Sequence, residues 1–294
     1  MTAKANISAS EGAGRGAAGH PLRAISFGTP AINVERRADG TIYLRPKAPL
    51  ADYPVRLTDR LHHWAGAEPS RVFMAERTKS GGWREITYAE LLTSSRHIAS
   101  ALLARGLSAE RPVVILSGNS IDHALLAFGA LYAGVPFCPV SPPYSLVSKD
   151  YAKLSYVLDL LTPGLVFADD ADKFADALAK NVPQATEIAA SFGTVTGRSV
   201  TALADLMATP IHPTLDATHA AIGPDTIAKF LLTSGSTGNP KAVINTQRMI
   251  CANQVMLRET LAFLKDEPPV IVDWLPWNHT FGGNHNIGLT LYNG

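Results

Sequence analysis

The chain is 294 residues long with 46% hydrophobic and 17% charged side chains, enough for a substantial core in one large domain or two small ones. A net charge of +1 gives no bulk attraction to nucleic acid or to an anionic membrane, and no apolar run approaches the roughly 20 residues that span a bilayer. Two cysteines, Cys138 and Cys251, are too few for a disulfide framework and lack metal-site spacing, so the expected setting is a reducing cytoplasm, with no nucleic-acid or membrane partner.

Residues 1–20 are rich in Ala, Gly and Ser with no apolar segment, and are expected to be a disordered tail rather than a signal peptide. Short extended runs follow. Ile32-Asn33-Val34 and Ile42-Tyr43-Leu44 flank Ala38-Asp39-Gly40, which predicts a hairpin. Tyr53-Pro54 opens a first helix, with Thr58 as candidate cap and Leu57, Leu61 and Trp64 on one face. A second pair of strands, 72–75 and 83–86, brackets a Lys-Ser-Gly-Gly turn. Thr87 and Glu90 have capping-box spacing ahead of a helix that Gly106 ends.

The clearest βαβ unit comes next. Val113-Val114-Ile115-Leu116 is a buried strand, Gly118-Asn119-Ser120 its turn and cap, and 121–133 a mostly apolar helix stopped by Gly134. A strand starts at Val135. Residues 149–161 predict a helix capped by Ser148, and 164–168 a strand closed by Asp169-Asp170. That acidic pair reads as a strand-end turn, since no third ligand is near enough in sequence to suggest a metal site. Another helix starts at Phe174, and 182–225, rich in Pro, Thr and Ala, reads as a connection with a helix at 201–207. Strands alternating with helices predict an α/β fold with a doubly wound, mainly parallel sheet and flanking helices.

Residues 227–232 are an apolar run with one Lys in it, and they deliver the chain into Thr233-Ser234-Gly235-Ser236-Thr237-Gly238-Asn239-Pro240-Lys241. Glycines allow close backbone approach and successive N–H groups can form an anion nest. Hydroxyls add donors and Lys241 adds a mobile charge. The composition also suits a plain polar turn, but the ordered pattern points to the phosphates of ATP. It is not the Walker loop, which needs four residues before its Gly-Lys and a hydroxyl residue after it. Residues 246–264 predict a long helix and 269–272 a further strand. Directly after that strand, Asp273-Trp274-Leu275-Pro276-Trp277-Asn278-His279-Thr280-Phe281-Gly282-Gly283 sets a histidine among aromatics and glycines. Both polar loops would then lie at carboxyl ends of strands, where ligands bind in open α/β sheets.

The 233–241 loop resembles the signature of the adenylate-forming superfamily of acyl- and aryl-CoA synthetases, luciferases and peptide-synthetase adenylation domains; Ala242 stands where Gly is common. The Pro-x-x-His stretch at 276–279 resembles the superfamily's next core motif. Segments 114–123, 139–148 and 158–170 are similar to feruloyl-CoA synthases. The resemblance implies ATP, Mg²⁺ and coenzyme A as cofactor and co-substrates, with ferulate or another aromatic hydroxycinnamate as the acid. It implies cofactor binding by Thr233, Ser234, Gly235, Ser236, Thr237, Gly238 and Lys241, and catalytic roles for Lys241, His279 and Thr237. Thr237 is the candidate near the metal. An acid pocket would be bordered by Trp277, His279, Phe281, Gly282 and Gly283. By the same likeness, 21–294 is expected to be the N-terminal part of an AMP-binding domain whose C-terminal subdomain is absent, inactive alone. Alternatives are a fatty acyl-CoA synthetase, a catalytically dead acyl- or nucleotide-binding module, or a kinase or ATPase with an unusual loop.

Overall fold

The computed structural model describes residues 24–29, 31–233 and 238–294. The tail expected over 1–20 lies outside them, as do Ser234, Gly235, Ser236 and Thr237.

Two hairpins and two helices precede the main sheet. β1 (Ile32–Arg36) and β2 (Ile42–Pro46) pair antiparallel, Val34 opposite Leu44, around the expected turn. α1 (Thr58–Ala67) begins with Thr58 as its first helical residue rather than as its cap. The Thr58 hydroxyl instead pairs with Nε2 of His219 at 2.9 Å. β3 (Val72–Arg77) and β4 (Trp83–Thr87) form the second hairpin. Thr87 then caps α2 (Tyr88–Ala104): its hydroxyl accepts from the Glu90 amide, and the Glu90 carboxylate accepts from the Thr87 amide at 2.8 Å.

The main sheet comprises β5 (Val113–Leu116), β6 (Phe137–Pro139), β7 (Leu165–Asp170), β8 (Glu187–Phe192), β9 (Val200–Ala202), β10 (Ile227–Thr233) and β11 (Lys241–Thr246). Its lateral order is β11-β10-β6-β5-β7-β8-β9, with every neighbouring pair parallel except β10 and β11. The chain winds outward from β5 in both directions, as expected for a doubly wound sheet. α3 (Ile121–Ala133) joins β5 to β6, α4 (Pro143–Leu146) and α5 (Ala152–Leu161) join β6 to β7, and α6 (Ala171–Asn181) joins β7 to β8. α7 (Leu203–Met207) and α8 (Leu215–Ala221) lead to β10, while α9 (Gln247–Thr260) and α10 (Ile287–Asn293) follow β11.

Alternation along the central strands sorts their side chains between two layers. Val113, Ile115, Leu165 and Phe167 pack with α2 and α3, together with Ile250, Cys251 and Trp277. Val114, Leu116, Val166 and Ala168 pack with Leu154, Val157, Phe174 and Leu178 of α5 and α6, and Cys138 lies in that second layer. Strands covered on both faces read as continuous apolar runs, which is how β5 and β7 were legible.

Several boundaries differ from the expectation for local reasons. α5 starts at Ala152, not 149, because Tyr151 sits at φ 53, outside helical space, while the Ser148 hydroxyl accepts from its amide at 3.1 Å. α6 starts at Ala171, not 174: the Asp170 carboxylate accepts from the Lys173 amide at 3.1 Å, so the acidic pair ends a strand and caps a helix. Residues 200–202 are taken by β9, which delays α7 to Leu203. The long helix expected over 246–264 stops at Thr260 and gives way to a 3₁₀ turn, Ala262–Lys265. The strand expected at 269–272 has no sheet partner among the described residues, and Val270 and Val272 are 97% and 94% exposed. Its β-branched residues suit a strand, but strand formation needs a neighbour to pair with.

Candidate active site

β10 carries the chain to the phosphate-loop candidate, and β11 carries it back. Thr233 lies opposite Lys241 across this hairpin, and the Thr233 hydroxyl donates to the Lys241 carbonyl at 3.5 Å. The two ends of the 234–240 loop are therefore clamped by an antiparallel ladder. Lys241 is exposed at the base of the loop as the first residue of β11, a strand the sequence did not lead us to expect. Gly238 has φ 145, a conformation that favours glycine, with open space where a Cβ would stand.

The second motif is organised around the Asp273 carboxylate. Oδ1 accepts from the Leu275 amide at 3.1 Å and from Asn286 Nδ2 at 2.7 Å, and Oδ2 accepts from the Trp277 indole at 2.8 Å. Asn119, in the turn after β5, braces the same segment: Nδ2 donates to the Leu275 carbonyl at 2.8 Å, and Oδ1 accepts from the Trp277 amide at 3.1 Å. Sequence reasoning treats that turn as a plain strand-to-helix connection. Trp277 itself is buried, its ring edge-on to His123 at 5.1 Å, so it sits in the core beneath the surface segment. Trp274, by contrast, is 80% exposed.

Residues Phe281–Asn286 form a π-helical turn, a widened geometry often found at functional sites. His279 and Phe281 are exposed, and Phe281 stacks on His285 with centroids 4.5 Å apart. Gly282 and Gly283 are buried. A Cβ on Gly283 would stand 2.3 Å from the Trp277 carbonyl oxygen, and one on Gly282 2.4 Å from that of Pro276. Both glycines thus allow backbone to pack on backbone.

The two motif segments are tied together below the surface. Nζ of Lys229, buried in β10, donates to the Gly283 carbonyl at 2.8 Å and lies 5.6 Å from the centre of the Phe137 ring. Burial pulls its ammonium down to about 7. Asn284 Nδ2 donates to Asn245 Oδ1 of β11 at 2.9 Å, and Gln254 Nε2 of α9 donates to the Asn284 carbonyl at 2.9 Å. His123 Nδ1 donates to the Gly118 carbonyl at 3.0 Å, and burial lowers its pKa to about 4. A cavity of about 30 Å³, the space of a single water, lies between Lys229, His123, Trp277, Gly283 and Phe137. Lys229 was visible in the sequence only as a lone cation in an apolar strand. The expectation that both polar loops follow strand ends holds for 234–240 but not for 276–283, whose approach is unpaired and which is positioned by side-chain bonds instead.

Comparison with known proteins agrees with this architecture. The family model described as AMP-binding enzyme matches residues 61–294. Indigoidine synthase of Streptomyces lavendulae is 31% identical over 192 residues, covering 65% of this chain and 13% of that protein. A methyl-dioxo-octahydroindenyl propanoyl:CoA ligase of Rhodococcus jostii is 25% identical over 223 residues, covering 71% of this chain and 41% of that enzyme. Among solved structures, a fatty acid AMP ligase from Legionella pneumophila superimposes with a TM-score of 0.62 at 22% identity, over 81% of this chain and 38% of that one. MatB from Rhodopseudomonas palustris gives 0.59 at 24% identity, over 81% and 43% respectively. The chain therefore spans less than half the length of these relatives. With the doubly wound sheet, the clamped loop and the family match all on residues 61–294, the chain belongs to the AMP-binding, adenylate-forming enzyme family.

Proposed function

We propose that this chain is the N-terminal part, residues 21–294, of an adenylation domain in an ATP-dependent acid–thiol ligase. The observation that carries the reading is the hydroxyl- and glycine-rich loop clamped between Thr233 and Lys241 on the β10–β11 hairpin, to which the π-turn following His279 is tied by Lys229 and Asn245. In the first half-reaction a carboxylate oxygen bonds to the α-phosphorus of ATP as the bond to pyrophosphate breaks. Amides and hydroxyls of Thr233, Ser234, Gly235, Ser236, Thr237 and Gly238, with the Lys241 ammonium, would neutralise charge on the leaving pyrophosphate. In the second, the sulfur of coenzyme A bonds to the acyl carbon, AMP leaves, and the thiol proton passes to solvent. His279 and Phe281, exposed at the start of the π-turn, are the proposed border of the acid site, with Gly282, Gly283 and Trp277 behind them.

Among the described residues no group of three or more His, Cys, Asp or Glu is placed to hold a metal. The donor set here does not make a protein-held cage, so we assign Mg²⁺ to the nucleotide phosphates, with Thr237 as the one candidate side chain.

For the acid we propose ferulate or another hydroxycinnamate, on the likeness of segments 114–123, 139–148 and 158–170. A fatty acid is the second reading, favoured by the names of the superimposable ligases, one of them a fatty acyl-adenylate ligase in complex with acyl adenylate and pyrophosphate. The test is product analysis on the protein at its natural length with ATP, Mg²⁺, coenzyme A and either acid. AMP and feruloyl-CoA are expected, with about a hundredfold loss in Lys241→Ala. Acyl-CoA from the fatty acid alone would move the assignment to the second reading. ADP as product, or acid binding with no ATP consumed, would overturn the ligase.

A further inference from the structure

We infer that Lys229 is a positioning residue for the acid side of this site: its amine, fixed on β10, holds the Gly283 carbonyl and so sets the π-helical turn that carries Phe281 and directly follows His279. The inference rests on the ligase reading above for its kinetic consequence, not for its geometry.

The first support is the amine's surroundings. Lys229 is 5% exposed, and its Nζ reaches the Gly283 carbonyl at 2.8 Å across 54 residues of sequence. Among the described residues no carboxylate pairs with it. An amine taken out of water without a counter-charge is unfavourable, and a strand interior of this kind is ordinarily filled by an aliphatic side chain. The position therefore uses the donor.

The second support is what the donor satisfies. In an α-helix the Gly283 carbonyl would accept from the amide of Ile287. Here that amide is directed to the carbonyls of Gly282 and Asn284, so the widened turn takes Gly283 out of the usual register. The Gly283 carbonyl thus loses its α-helical donor, and the Lys229 ammonium donates to it at 2.8 Å. A Cβ on Gly283 would meet the Trp277 carbonyl oxygen at 2.3 Å, so glycine is what lets this backbone lie so close to Trp277.

The third support is location. Lys229 and Thr233 are on one strand, so the same rigid segment that anchors the phosphate-loop candidate also anchors the π-turn. Four residues of strand separate them by about 13 Å. The neighbouring cavity of about 30 Å³ means that packing alone does not fix the amine; the hydrogen bond does.

The experiment compares Lys229→Met, Lys229→Arg and Lys229→Gln in the protein at its natural length. In Lys229→Met, amide hydrogen exchange over 279–288 should rise about tenfold or more while amides of β5 and β7 stay unchanged. The KM for the acid should rise about tenfold, with the KM for ATP within twofold. Lys229→Arg, which keeps a donor and has the cavity to expand into, should recover both. Unchanged exchange over 279–288 in a folded Lys229→Met would overturn the inference, as would equal changes in the acid and ATP constants. If Lys229→Met does not fold, Lys229→Gln, too short to reach Gly283, replaces it with the same expectations against Lys229→Arg. A wild-type protein that makes no acyl adenylate would defeat the ligase reading, and the exchange comparison would still decide the role of Lys229.

Discussion

β7 and β11 lie in one sheet and are both rich in apolar residues, yet their surroundings are opposite. Along β7, Leu165, Val166, Phe167 and Ala168 are all buried between two helical layers. Along β11, Val243 and Ile244 are 44% and 48% exposed, and the 269–274 segment beyond α9 leaves Val270, Val272 and Trp274 in solvent. The central region is held by filling volume. The region that carries the motifs is held by directed bonds, from Lys229, Asn245, Gln254 and Asp273 to particular backbone and side-chain atoms of 275–286. Volume filling fixes a fold; directed bonds fix the placement of a few atoms, which is what a site needs.

The contrast can be broken most forcefully at Phe167, which is fully buried. Phe167→Ala should lower unfolding free energy by about 3–5 kcal/mol in a urea melt. A loss under 1 kcal/mol would mean that the central layer is not the stabilising element.

Acid should act next. His123, under the site, and His219, stacked on Tyr132 with centroids 4.0 Å apart, are both pulled to about 4 by burial. Their ordinary value is about 6.5, so the unfolded chain binds more protons between these limits. The stability each contributes is complete above about pH 6.5 and is lost as pH falls through about 4, up to roughly 3 kcal/mol apiece. Urea melts at steps from pH 7 to 4 should show the fall, reduced in His219→Gln. A flat profile would show that neither ring is desolvated in solution.

The smallest effect is expected at Val272. Because it is 94% exposed, Val272→Ala should change stability by no more than about 0.5 kcal/mol. A loss above 1 kcal/mol would show that the segment is packed in solution and erase the contrast.

Legibility in the sequence follows the same division. β5, β7 and α2 were readable because their signals are local: continuous apolar runs, and a Thr-x-x-Glu box. β11 was not, because after Pro240 and Lys241 nothing local says whether Ala-Val-Ile-Asn-Thr turns back along β10 or runs on toward the helix. The 269–272 segment failed the other way, with strand composition and no partner. The site residues found by motif are those whose chemistry is carried by residue type and spacing. Lys229, Asn119 and Gln254 were not found, because their roles depend on partners 54, 156 and 30 residues away.

The two cysteines sit one in each of the two apolar layers of the core. Cys138 lies in β6 inside the α5–α6 layer, Cys251 in α9 on the other side, and burial pushes both thiols up to about 12. Neither presents a thiolate to a reagent in the native state at mild pH, so alkylation must wait for local opening. The protein thus contains two internal stopwatches, one per core layer. The ratio of their labelling rates reads out which side of the sheet breathes first, with no added probe.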